Sequence, residues 1–197
     1  MKNPPPIFHA LTRKFSGLTS RIITPIIIAS PFDPANPPDP LPKHYETIGL
    51  WDTGATNSVI TTETVTSLGL IPVGTVQMNH AGGSSLFNTY LVNFLLPNNV
   101  GIAGVRVIEC PKIVENIGAI IGMDIIRLGD FAITNVNGQT WMSYRIPSVE
   151  HIDYVSQAEQ LTKKELSKTP RNAPCPCGKK DLQGKPIKFK KCHGKNF

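Results

Sequence analysis

Thr47-Ile48-Gly49-Leu50-Trp51-Asp52-Thr53-Gly54-Ala55-Thr56-Asn57-Ser58-Val59-Ile60 places a tight acidic turn between two strand-like runs. Apolar and β-branched residues on either side favour extended backbone, and Gly54 permits the sharp reversal between them. The carboxylate of Asp52 is therefore expected to be lifted out of a strand and held on a turn. Asp-Thr-Gly is also a good turn tripeptide with no chemistry attached. Its meaning depends on what else the chain carries.

Further along, the chain reads Gly118-Ala119-Ile120-Ile121-Gly122-Met123-Asp124-Ile125-Ile126, an apolar strand broken by one glycine and followed by a helical turn. Together the two pieces resemble the retropepsin-like aspartic proteases over residues 20 to 148. The resemblance implies an all-β, closed β-barrel-type acid protease domain. In it, Asp52 is the catalytic carboxylate and Ile120-Ile121-Gly122 belongs to the strand packed beside it. It also implies a flap, a hairpin that closes over substrate. Val76 to His80 and Leu86 to Tyr90 have the character of its arms, with Gly82 and Gly83 at the tip. Gly-Gly between strands equally marks an ordinary hairpin turn.

Only one Asp-Thr-Gly occurs, and no Asp-Ser-Gly. Acid proteolysis needs two carboxylates sharing one proton, because like charges a few ångströms apart cannot both ionise. One copy per chain therefore implies a homodimer in which each protomer contributes Asp52 across a two-fold axis. The rate profile expected of such a dyad is bell-shaped, with an optimum on the acidic side of neutral. By resemblance, Thr53 reaches across the dimer axis and Gly54 lies near the dyad. Ala55, Thr56, Gly82 and Gly83 are expected to face protein or peptide substrates. The chain departs from the viral pattern in carrying Thr56 where viral enzymes have Asp and Met123 where they have its Arg partner. Asp124 reads as a structural residue at the start of a helix.

The rest of this region suits short strands. Arg21 to Ser30, Leu91 to Leu96 and Gly104 to Glu109 are apolar runs, and Phe131 to Tyr144 folds back at Asn137-Gly138, a strong hairpin signal. Six prolines between Ser30 and Lys43 predict an extended loop there. Four segments follow: an N-terminal arm over 1–20, the protease domain over 21–148, a helical linker over 149–170 and a tail over 171–197. The arm reads as disordered, as a strand of a dimer sheet or as targeting sequence. Val155, Ala158, Leu161 and Leu166 recur at helical spacing in the linker. No run has the length of a membrane span, and the expected location is the cytoplasm.

In the tail, Cys175-Pro176-Cys177 is followed by Cys192-His193, three thiols and an imidazole that make a complete tetrahedral zinc set. The pattern resembles the SEC-C motif found at the carboxyl end of bacterial preprotein translocase motors. It implies a small structural zinc knuckle, with no cofactor for catalysis. Asp181 to Ile187 looks like an insert that lengthens the connecting turn. Cys110 reads as a core thiol.

The chain of 197 residues has a formal charge of +6, yet residues 163–197 hold eleven Lys or Arg against Glu165 and Asp181, a local +9. Such a surface can contact an acidic protein partner, RNA or anionic lipid through the basic knuckle, or its lysines can simply solvate and compensate metal-bound thiolates. Nucleic acid is not expected as the main ligand, since Phe189 and Phe197 alone could stack on bases. Two readings stand at this point. The first is a homodimeric aspartic endopeptidase with a docking knuckle. The second is a non-catalytic dimeric adaptor that uses the same scaffold.

Overall fold

A computed structural model describes residues 7–80, 83–114 and 116–196. The chain divides into two compact units, residues 1–149 and 150–197.

The first unit is all-β apart from short helical turns. Its strands are β1 (His9–Lys14), β2 (Ile23–Ala29), β3 (His44–Trp51), β4 (Val59–Thr61), β5 (Gly74–His80), β6 (Gly83–Leu96), β7 (Val100–Cys110), β8 (Ala119–Ile121), β9 (Asp130–Val136) and β10 (Gln139–Ile146). Hydrogen bonding runs β2-β3-β8-β4-β7-β6, and β6 also pairs with β2. That last pairing, Ile27↔Leu95 to Ala29↔Asn93, closes a barrel of six strands. Closure removes the open edges that such strands would otherwise present. The closed all-β barrel is the fold class that the sequence implies.

Alternation along the strands fills the barrel. Ile26 and Ile28 of β2, Val92 and Phe94 of β6, Val107 of β7 and Ile121 of β8 are almost wholly buried. Each such side chain stabilises the fold by about 1.5–3 kcal/mol relative to exposure. β6 is long because it serves twice, pairing with β5 in a hairpin and then with β7 and β2 in the barrel. A bulge between Val92 and Phe94 bends it, and Asn93 at the bend donates to Phe32 O and accepts from Gly104 N.

Helix α1 (Thr62–Leu68) is capped by Thr61, whose hydroxyl accepts from Thr64 N, and is stopped by Gly69 at φ 63°. A second sheet, β1-β10-β9, is antiparallel throughout. Its β9–β10 turn has Asn137 at φ 53° and Gly138 at φ 71°, the double positive φ of a two-residue hairpin turn. Residues 9–14 form β1 against β10 of the same chain, whereas the sequence leaves open a disordered arm, a strand of a dimer sheet or targeting sequence. Only Leu11 of this strand is buried, so its pattern is too short to single it out.

In the second unit, α3 (Tyr154–Ser167) follows the N-cap Asp153, whose carboxylate accepts from Val155 N and Ser156 N. The knuckle after it is made of turns and two short 3-10 helices, Phe189–Lys191 and His193–Asn196, with isolated bridges Pro174↔Lys188 and Lys180↔Pro186. Among the described residues no helix is long and apolar enough to cross a membrane.

Candidate active site and metal centre

β3 lies parallel to β8 with Trp51 opposite Ile121, and the ladder continues one residue further, Asp52 N donating to Ile121 O at 3.0 Å. The chain then turns, closed by Ala55 N to Asp52 O at 3.2 Å. Gly54 N donates to Asp52 Oδ1 at 2.8 Å, fixing the direction of the carboxylate. Asp52 is half-buried, and Thr53, Gly54 and Thr56 are exposed, with Ala55 between. The acid is thus fixed on its backbone side and open on the other.

The residue before it is anchored on three sides. Trp51 Nε1 donates to Thr24 Oγ1 at 2.9 Å in the core. Its ring stacks on Phe131 of β9 with centroids 5.3 Å apart, and meets Tyr144 of β10 at 5.1 Å and a tilt of 57°. The Tyr144 hydroxyl donates to Ile125 O at 2.8 Å. Burial pushes that phenol up to about 12, so it remains a neutral donor at any ordinary pH.

The far side of the loop rests on α2 (Met123–Ile126), the helical turn after β8. A Cβ on Gly122 would lie 2.6 Å from Asn57 C and 2.9 Å from Ala55 O, so only glycine lets the loop approach this closely. Met123 N donates to Ala55 O at 2.7 Å and Asp124 N to Thr56 O at 3.2 Å. Asp124 returns the contact. Its carboxylate accepts from Ser58 N at 2.8 Å, Ser58 Oγ at 2.7 Å and Ile125 N at 2.9 Å, while Ser58 Oγ accepts from Gly122 N at 3.0 Å. Ser58 is fully buried. This chain joins the Thr56 and Met123 regions through backbone hydrogen bonds and the Ser58–Asp124 lock. Nothing in the sequence singles Ser58 out, because a small polar residue in a loop has no distinctive pattern.

The hairpin read as a flap is β5 and β6, paired from Gly74↔Thr89 to His80↔Gly83. Gly83 opens β6, and Gly82 lies outside the described residues. A cleft of about 920 Å3 lies elsewhere on the unit, lined by residues including Tyr45, Glu46, Asn98 and Lys112, and Asp52, Thr53, Gly54, Ala55 and Thr56 do not border it.

In the second unit, Cys175, Cys177, Cys192 and His193 converge, their ligand atoms all within 4.8 Å of one another. The sulfurs of Cys175 and Cys177 are 3.4 Å apart and those of Cys177 and Cys192 3.6 Å apart. His193 Nδ1 lies 3.3 Å from the Cys175 sulfur and 3.5 Å from that of Cys192. A tetrahedral zinc separates two sulfurs by roughly 3.8 Å and a sulfur from a nitrogen by roughly 3.6 Å. Those four separations lie within a few tenths of an ångström of these values, and the set could hold one metal ion.

Burial works against the Cys175 thiolate, but hydrogen bonds from the backbone and side chains of Cys177 and His193 outweigh it and bring the thiol down to about 6. Burial and the neighbouring thiols push Cys192 up. Sulfurs this close cannot all ionise without a cation among them.

No protein-family model matches the chain, and no curated protein matches it. Solved structures do. A retropepsin-like aspartic protease from Rickettsia conorii is 10% identical with a TM-score of 0.46, over 73% of this chain and 98% of that one. The solution structure of the simian foamy virus (mac) protease is 14% identical with a TM-score of 0.36, over 52% and 90%. A foamy viral protease–reverse transcriptase in complex with an RNA/DNA hybrid is 17% identical with a TM-score of 0.39, over 76% of this chain and 15% of that one.

Proposed function

We propose that the first unit is half of an aspartic endopeptidase active site, completed by a second copy of the chain. The observation that carries this is the presentation of Asp52: a half-exposed carboxylate on a turn tied to β8, aimed by Gly54 N and locked from behind through Ser58 and Asp124. Asp124 does not supply the second acid, because its oxygens accept from Ser58 and Ile125.

In the dimer, one Asp52 is ionised and takes a proton from a water held between the two. The water oxygen attacks the scissile carbonyl carbon, and the protonated Asp52 of the other protomer gives its proton to the carbonyl oxygen. The first Asp52 then gives the proton it took from water to the amide nitrogen as the C–N bond breaks, while the other Asp52 takes back a proton from a hydroxyl of the gem-diol, so that the carboxylic acid and amine leave and the one-proton pair is restored. Thr53 and Gly54 position this pair, and Ala55, Thr56 and the flap tip at Gly82 and Gly83 meet the peptide. β9 is the natural seam. No further strand pairs with it among the described residues, and its Phe131 touches Trp51, next to Asp52. In the second unit, Cys175, Cys177, Cys192 and His193 hold a structural zinc that keeps the basic knuckle folded for docking.

The test is cleavage of a diverse peptide library between pH 4 and 7 by the full chain and by Asp52→Asn, with and without a pepstatin-type inhibitor. Cleavage with a bell-shaped profile that is lost in Asp52→Asn is the expected result. A dimeric protein that cleaves nothing would make the barrel the scaffold of an adaptor instead.

A further inference from the structure

The second unit carries the whole formal charge of the protein. Residues 150–197 hold eleven Lys and Arg against five Asp and Glu, a net +6, while residues 1–149 hold nine of each. The same unit exposes apolar side chains in two places.

The first is α3, where Tyr154, Ala158 and Leu161 follow one another at i, i+4 and i+7 with Val155 beside them. Tyr154 is 61% exposed, Val155 72% and Leu161 63%, and no residue of the helix is buried. Lys163, Lys164 and Lys168 crowd its last turns. The second is the insert in the knuckle. Asp181 N donates to Lys185 O and Gly184 N to Asp181 O, and the Asp181 carboxylate accepts from Gln183 N and Lys185 N. Gly184 takes φ 77°. The turn is thus held from inside, and what it holds out is Leu182, fully exposed at 108%. Lys179, Lys180, Lys185 and Lys188 stand exposed along its two arms.

We propose that the second unit docks the protein on an anionic lipid surface. Leu182 and the apolar face of α3 enter the headgroup boundary, and the surrounding lysines meet the lipid phosphates. An amphipathic helix with a lysine-rich C-terminal end and an exposed apolar tip on a basic turn are each weak signals for a membrane surface. Two signals together are what stable but reversible anchoring requires. Lysine stems lie along the apolar boundary while their charges stay among the headgroups. A nucleic-acid surface fits less well, because Tyr154 is the one exposed aromatic among the described residues of this unit. The inference does not rest on the protease reading and needs no catalytic readout.

Co-sedimentation of the full, zinc-loaded chain with sucrose-loaded vesicles tests it, comparing pure phosphatidylcholine with a 7:3 mixture of phosphatidylcholine and phosphatidylglycerol. The expected result is binding to the mixed vesicles alone, weakened by raising the salt from about 0.1 to 0.5 M. Leu182→Asp should lower the partition coefficient about tenfold, as should Val155→Asp, and Lys180→Glu with Lys185→Glu should lower it about tenfold or more. These positions are exposed, and circular dichroism with zinc content verifies that each variant is folded. Failure to bind mixed vesicles would overturn the proposal. Equal binding by wild type, Leu182→Asp and Val155→Asp would also overturn it, since the surface would then attract any polyanion, an acidic protein included, without inserting.

Discussion

Asp124 decides how firmly the Asp52 loop is held, and its effect can be measured separately from catalysis. Its carboxylate is the acceptor for both the amide and the hydroxyl of Ser58, which has no access to water. Asp124→Ala leaves those donors unpaired and should destabilise the first unit by about 3 kcal/mol, with Asp124→Asn, which keeps one acceptor, losing about half as much. Urea unfolding midpoints measure this, and a midpoint in Asp124→Ala equal to wild type would show that the lock is dispensable. A second residue gives a pH signature. Burial holds the Tyr144 phenol at about 12 against an ordinary 10.0. The raised group contributes its full stability below pH 10 and loses it as pH rises towards 12, because the unfolded chain then releases a proton that the folded one keeps. Stability should fall between pH 10 and 12, and less steeply in Tyr144→Phe. Burial also raises Tyr90, and a hydrogen bond to Glu63 raises Tyr45, so the difference between wild type and Tyr144→Phe isolates this residue. The Asp-Thr-Gly turn is legible in the sequence because a turn is local. Ser58, Thr24 and Tyr144 are not, because each acts through a partner far along the chain.

Among the described residues three strands, β1, β5 and β9, pair on one side only, and of these β9 is the one whose Phe131 stacks on Trp51, next to Asp52. Its sequence from Asp130 to Val136 carries no Lys and no Pro, the residues that usually protect an edge, and Ile133 and Val136 are exposed on it. An edge of this kind invites antiparallel pairing with a second β9, and its contact with Trp51 would bring both Asp52 turns towards one axis. Ile133→Lys should therefore yield a monomer by sedimentation velocity with an unchanged circular dichroism spectrum. Because the site would be split, it should also remove peptide cleavage as completely as Asp52→Asn does. A variant that stays dimeric would place the seam elsewhere. Elements with strong periodicity or turn chemistry could be read in advance: the Ile-rich β2, the Asn137-Gly138 hairpin, and α3 with its apolar spacing. The closure of β6 onto β2 could not, since it depends on a bulge at Asn93 that no local pattern announces. Nor could the pairing of β1 with β10, which is separated from it by most of the chain.

At the scale of the whole molecule, the two units are stabilised in different ways. The first has a continuous apolar core inside its barrel. In the second, Cys175 and Phe189 are the buried hydrophobic residues among those described, too few to order 48 residues by burial alone. Cys175 is itself one of the four converging donors, so half of that small core exists only while the knuckle is assembled. Metal binding should therefore be a large part of the folding free energy of this unit and a negligible part for the barrel. Chelation provides the test. Excess EDTA should loosen the backbone around Lys179 to Lys191 so that trypsin cleaves there, while a fragment covering the barrel survives with its thermal midpoint unchanged; Cys192→Ser should behave the same way without chelator. Mass spectrometry of the fragments separates the possible results. Cleavage confined to α3, or an unaltered digestion pattern after metal removal verified by zinc analysis, would mean that the turns and bridges of the knuckle hold it without the ion. Simultaneous loss of the barrel would mean that the two units fold as one.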